Sequence, residues 1–217
     1  MRLRTELLPG RGLALWPVMW LATLLGPGAA GAERASAAGA GLVERLNATG
    51  RAEARIERRA PDPFGGVEQH AIGRLSLESP DRARLDFERT RESVTLRANG
   101  GEWLQPELRQ MIRFGPVSAR VGLRWWNVML GRSGVSYEER ALGGGRYLLL
   151  LSSVPGAAAD SAWVTVGGDR LPQLLEVAEA DGAHVSYRLD RWRFTAPRGA
   201  AAFVLRAPVG FETVDMR

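Results

Sequence analysis

Nucleophiles, general bases and metal ligands are scarce in this sequence, and that scarcity is the first constraint on its chemistry. Cysteine is absent from the 217 residues. This excludes a disulfide framework, thiolate-bound zinc or iron–sulfur clusters, a thiol nucleophile and acylation on an N-terminal cysteine. Histidine occurs twice. His70 follows Glu68 and Gln69 in an alternating stretch, and His184 opposes the face made by Val185, Tyr187 and Leu189, so both are expected to face solvent. Glu138 and Glu139 fall at ordinary polar positions. The chain has no G-x-S-x-G elbow, no H-E-x-x-H pair and no phosphate-binding glycine loop. Gly143, Gly144 and Gly145 lie between two strand candidates with no helix after them, and read as a turn. These residues describe a protein that is not an enzyme and uses no cofactor or metal. The alternative is a hydrolase whose carboxylates come together only in the fold, and no motif speaks for it.

The side chains left to act are apolar. Within residues 118–131, Val121, Trp125 and Met129 recur at helical spacing, with Leu123, Trp126 and Leu130 beside them. A helix apolar on more than one face is either buried or covers something apolar. Two readings stand: an ordinary core helix, or a lid across the mouth of a curved sheet, hinged at Gly115-Pro116 and at Gly131.

The elements that must position this segment follow from length and periodicity. The chain suits one substantial domain, and its 45% apolar and 24% charged residues are ordinary globular composition. Residues 36–49 predict a short helix from Ala38, Leu42, Val43 and Leu46, stopped at Asn47 and Gly50. After Gly50 the period changes to two. Ala52, Ala54 and Ile56 share one face, as do Ala71, Gly73, Leu75 and Leu77. Ala83, Leu85 and Phe87 are expected to point inward, while Arg82, Arg84, Asp86 and Glu88 form a solvated outer face. Val94, Leu96 and Ala98 continue to the turn at Asn99-Gly100-Gly101. Further strands are predicted at 102–105, 134–141, 146–152, 161–167, 173–179, 183–194 and 202–207. So many short strands with hairpin-length gaps imply one antiparallel sheet curled around a single core.

Residues 1–32 read as an address. Arg2, Arg4 and Arg11 precede an apolar run from Gly12 to Leu25, and Ala30 and Ala32 occupy the small-residue positions before a cut. The run is shorter than the ~20 residues that span hydrocarbon. Cleavage after Ala32 places the mature chain, residues 33–217, in the periplasm as a soluble protein. It also lowers the formal charge from +5 to +3, by removing three arginines and Glu6. Every basic residue is Arg, and these arginines alternate with carboxylates instead of forming a patch. A nucleic-acid partner is therefore not expected.

With the strands in order, the sequence resembles a known family. The runs GRLSLESP (73–80), RARLDF (82–87), LRANG (96–100), EWL (102–104) and PELRQ (106–110) are similar to the LolA family of periplasmic carriers of outer-membrane lipoproteins. Leu171-Pro172, Val177, Asp181-Gly182, WRF (192–194), Phe203 and APVGF (207–211) resemble its closing strands and terminal loop. The match spans most of residues 40–215. It implies a mainly β (α+β) fold, an incomplete and strongly curved antiparallel β-barrel with a helical cap. It also implies an apolar cavity that shelters acyl chains. On that reading Leu85, Phe87 and Trp103 line the cavity, and Trp125, Trp126, Met129 and Leu130 lie on its cover. The partners implied are acylated lipoproteins or lipids, an inner-membrane export complex and an outer-membrane acceptor, with the carrier itself a monomer. Ser79 stands where the family commonly has Arg before Pro80, and Ala83 where it has Phe or a similar apolar residue. The family's lid-holding and release roles therefore do not pass to these two positions. A lipid-binding or sensing module of the same fold, with a non-lipoprotein ligand or a regulatory protein partner, is the alternative.

Overall fold

The computed structural model describes residues 36–61, 68–131, 137–151, 160–178 and 184–216, apart from the side chains of residues 120, 121 and 160. The predicted signal peptide lies outside these residues, as do positions 134–136, 152, 179 and 183 of four predicted strands. The described residues belong to one compact unit.

Gly50 is where helix gives way to sheet. It caps helix α1 (Ala40–Thr49) with φ 88°, a left-handed turn that glycine adopts without Cβ strain, and its N–H donates to the Leu46 carbonyl. Strand β1 (Arg51–Ala60) begins at once, followed by β2 (Gln69–Glu78), β3 (Arg82–Phe87), β4 (Ser93–Arg97), β5 (Gly100–Gln105) and β6 (Gln110–Phe114). Helix α2 (Pro116–Met129) interrupts the run. Then come β7 (Tyr137–Gly143), β8 (Arg146–Leu151), β9 (Asp160–Val166), β10 (Pro172–Ala178), β11 (His184–Thr195) and β12 (Glu212–Met216). All twelve strands join one curved, open sheet in the order β12-β6-β5-β4-β3-β2-β1-β11-β10-β9-β8-β7. The predicted incomplete antiparallel barrel with a helical cap is this architecture.

Antiparallel neighbours are close in sequence except at the central pair, where β1 meets β11 and joins the two halves of the sheet across most of the chain. The register of that pair shifts between Glu53 and Arg55, and such a bulge adds bend and twist. The exception to antiparallel pairing is β12, which runs parallel to β6 along one edge. Neither β6 nor β12 is among the predicted strands. The predicted strand at 202–207 is a correction in the other direction. A 3-10 turn (Ala200–Phe203) and irregular chain occupy that stretch, because it crosses the outer face of the sheet instead of pairing within it.

The inner face holds the core. Cross-strand partners share a face, so Ala54, Leu75, Leu85, Val94, Trp103 and Ile112 form one row across β1–β6, and Ala52, Leu77, Ala83, Leu96 and Gly101 form the next. On the other half Leu189, Leu175, Val177, Ala162, Val164 and Leu149 are buried on the same face. Ala38, Leu42 and Leu46 of the N-terminal segment and Leu123, Trp125, Trp126 and Met129 of α2 complete one continuous cluster with them.

Candidate functional site

The helical cover over the inner face is the part of the fold with a functional shape. Helix α1 packs on β1 and β11 at the centre of the sheet, while α2 packs on β4 and β5. They meet through the 3-10 turn (Ala37–Gly39) that precedes α1. A Cβ at Gly39 would stand 1.8 Å from the Met129 carbonyl oxygen, so only glycine lets the two backbones approach this closely. Ser36 Oγ accepts from the Gly39 N–H at 3.1 Å. The Ala37 and Ala38 N–H groups donate to the Glu139 carboxylate at 3.0 and 3.1 Å. Glu139 is thus an anchor for the cover, not the ordinary polar residue its sequence position suggests. Burial, followed by the Glu139 charge, pushes the neighbouring Tyr137 hydroxyl above its ordinary pKa.

Helix α2 starts at Gly115 with Pro116 in its first turn and no side-chain cap. It ends at Leu130, followed by Gly131 at φ 65°. Trp125, Trp126, Met129 and Leu130, predicted for the cover, are all buried in the inner cluster. Burial of large apolar side chains stabilises by ~1.5–3 kcal/mol each, which is what holds a weakly capped helix in place. Leu85, predicted for the lining, is half-buried and packs against the same cluster. Phe87 and Trp103 lie on the same pleat face but only half-buried, and the Trp103 indole donates to Glu92 at 3.1 Å.

The outer face carries residues that sequence reasoning missed. Residues 198–205 lie across it as a strap. Glu78, its side chain 1% exposed, accepts from the Arg198 and Gly199 N–H groups at 2.8 and 3.1 Å and from Arg82 at 2.7 Å. Glu102 accepts from Thr95 Oγ1 at 2.6 Å, from the Leu205 N–H and from Arg97. Arg84 and Arg97 donate in turn to the Ala202 and Phe203 carbonyls at 2.9 and 2.8 Å. Arg82, Arg84 and Asp86 do point outward, but they are half-buried beneath or beside the strap and are not a freely solvated face. Phe203 and Leu205, two residues apart as in a strand, are the apolar residues the strap buries against the sheet.

Candidates for polar chemistry stay dispersed. His70 pairs with Glu57 at 3.0 Å, and the Arg59 guanidinium, ahead of His70, holds that carboxyl below its ordinary range. His184 is exposed and stacks on Trp163. Glu138 pairs with Arg140 on the outer side of β7. Among the described residues no group of three or more His, Asp or Glu could hold a metal ion. A cleft of about 380 Å³ lies between the β4–β5 turn and the first turn of α2, and includes Arg97, Glu102, Arg113 and Asp215. Among the described residues no helix is long and apolar enough to cross a membrane.

The fold and site together define a curved open sheet whose apolar inner face is closed by two helices. Solved structures of similar fold include a LolA superfamily protein from Nitrosomonas europaea, 8% identical over 77% of this chain and 97% of that one, with a TM-score of 0.40. An outer membrane lipoprotein-sorting protein domain from Vibrio parahaemolyticus is 11% identical, covering 76% of this chain and 94% of that one, with a TM-score of 0.40. An uncharacterized conserved protein from Thermus thermophilus is 13% identical over 81% and 97%, with a TM-score of 0.45. No family model and no curated protein sequence matches the chain.

Proposed function

We propose that this protein is a periplasmic carrier that shelters the acyl chains of lipoproteins, or of related lipids, between the sheet and its helical cover. The observation that carries the reading is the cover itself. Helix α2 places Trp125, Trp126, Met129 and Leu130 on the inner face of a sheet that is not closed by its own strands. The physical need is large. An acyl chain of about 14 methylenes, at ~0.8 kcal/mol each, costs ~11 kcal/mol to leave in water. A water-soluble carrier has to offer an apolar interior that opens and recloses, and two helices laid over an apolar sheet face supply one. The sequence resemblance described above supports the same role, with an inner-membrane donor and an outer-membrane acceptor, and the basic, apolar and small-residue pattern of residues 1–32 supports a signal peptide removed after Ala32. Transfer of this kind breaks no covalent bond and needs no catalytic residue.

Native mass spectrometry of the protein purified from the cell envelope of its own host tests the reading. Co-purifying acylated protein is the expected result. Free lipid as the sole ligand would favour the lipid-binding or sensing module of the same fold, which the departures at Ser79 and Ala83 support. Protein without any acyl ligand, and without uptake of added acyl lipid, would overturn both.

A further inference from the structure

Trp125 is 6% exposed, and its indole nitrogen is buried with no hydrogen-bond partner. Among the described residues, Arg51 Nε, Arg97 Nε and Asp190 Oδ1 share that condition. Each belongs to a side chain bonded through another atom, to Glu53, to Glu102 and the Phe203 carbonyl, and to Arg55 respectively. An indole has one polar atom, so Trp125 makes no hydrogen bond at all. The contrast with its neighbours in type is informative. Half-buried Trp103 and Trp192 donate to Glu92 and to the Pro172 carbonyl at 3.1 and 2.9 Å. The more deeply buried tryptophan has no acceptor.

Leaving a buried donor unmet is unfavourable, and Phe would fill a core position without that cost. The buried cluster around Trp125 is hydrocarbon and aromatic, and the Arg124 guanidinium beside it, 5.8 Å from the ring centroid, carries donors and no acceptor, so the acceptor has to arrive with something else. A neutral oxygen on an apolar body is the acceptor least costly to desolvate there. An acyl carbonyl, ester or amide, meets both conditions. An alkyl chain alone meets only the second.

We infer that Trp125 is the polar recognition point of the acyl site. Its N–H donates to the first carbonyl of an acyl chain that enters between α2 and the inner face, which sets how deep the chain sits and favours acyl over alkyl ligands. This inference rests on the acyl-carrier reading above.

The test compares dioctanoylglycerol with dioctylglycerol, its ether counterpart of equal chain length and no carbonyl, by titration calorimetry on the full mature chain. In Trp125→Phe the ester-to-ether affinity ratio is expected to fall about tenfold, the cost of one buried hydrogen bond. Trp163→Phe, on the outer face of β9 against His184, should leave the ratio unchanged. Taking a ratio cancels any general loss of packing. Replacement of Trp125 by 3-benzothienylalanine, in which sulfur replaces the N–H at nearly constant shape, makes the same comparison if Trp125→Phe folds poorly. An unchanged ratio in both Trp125 variants overturns the inference and leaves the carrier reading standing. Failure of the wild-type protein to bind either lipid overturns the carrier reading itself.

Discussion

Glu78 and Glu102 show how single carboxylates on one strand face decide what lies above it. Each is buried, and each collects donors from an arginine and from the backbone of the strap. Hydrogen bonds to an ionised acceptor are roughly twice as strong as neutral ones, and stranding their donors is strongly unfavourable. Glu78→Ala leaves Arg82 and the Arg198 and Gly199 N–H groups without their acceptor. It is expected to lower unfolding stability by about 3 kcal/mol in urea titration, and Glu78→Gln, which keeps one acceptor oxygen, by less. A loss below about 1 kcal/mol for Glu78→Ala, the level of a surface ion pair, would contradict the strap's anchoring. At this scale the alternation of Ala83, Leu85 and Phe87 against Arg82, Arg84 and Asp86 was legible, since pleating sends neighbours to opposite faces. What covers the polar face was not legible. A buried, strap-bonded arginine and a solvated one have the same spacing.

At the scale of elements, the same limit explains which strands were missed. In β6, Met111 is buried on the outer face while Ile112 belongs to the inner row, so two adjacent apolar residues serve two different faces and no alternation appears. β12 is an edge strand with little burial, and its parallel pairing with β6 depends on a long crossover that no local pattern encodes. α2 was legible because its apolar residues recur at helical spacing regardless of what they cover. Its junction with the N-terminal turn was not, because a glycine at a close backbone approach resembles any other glycine. Two substitutions separate these cases. Gly39→Ala drives a methyl group into the Met129 carbonyl and is expected to cost about 1–3 kcal/mol by overpacking, with hydrogen exchange accelerated through α1. Gly122→Ala places its methyl 3.3 Å from the flexible end of Leu96 on an exposed turn of α2. It is expected to be neutral or to stabilise by up to ~1 kcal/mol through helix propensity. Equal effects from the two would deny that Gly39 is a packing junction.

Across the whole molecule, the two helices lie at different places on the sheet, and that difference predicts which one moves. α1 lies at the centre of the sheet, fixed by the Glu139 cap, by Arg45 donating to the Asp169 carbonyl at 3.0 Å, by Glu44 with Arg170, and by Gly41 against the Arg170 backbone. α2 lies over β4 and β5 nearer the edge, between Gly115 and Gly131, with large apolar side chains buried on the inner face. The sheet beneath α2 is braced from its outer face by the strap bonds to Glu78, Arg84, Arg97 and Glu102, so it has the least freedom to yield. The inner cluster is already close-packed, and an acyl chain enters a packed interior only if something withdraws. Under the carrier reading that element is α2. Dioctanoylglycerol is therefore expected to raise the melting temperature, since it binds the native state. The same ligand should lower hydrogen-exchange protection across residues 116–131 while leaving β2–β5 and α1 unchanged or better protected. Hydrogen exchange with and without the lipid, read segment by segment, decides the matter. Protection that rises uniformly, α2 included, would mean that the lipid binds elsewhere and that Trp125, Trp126, Met129 and Leu130 are permanent core.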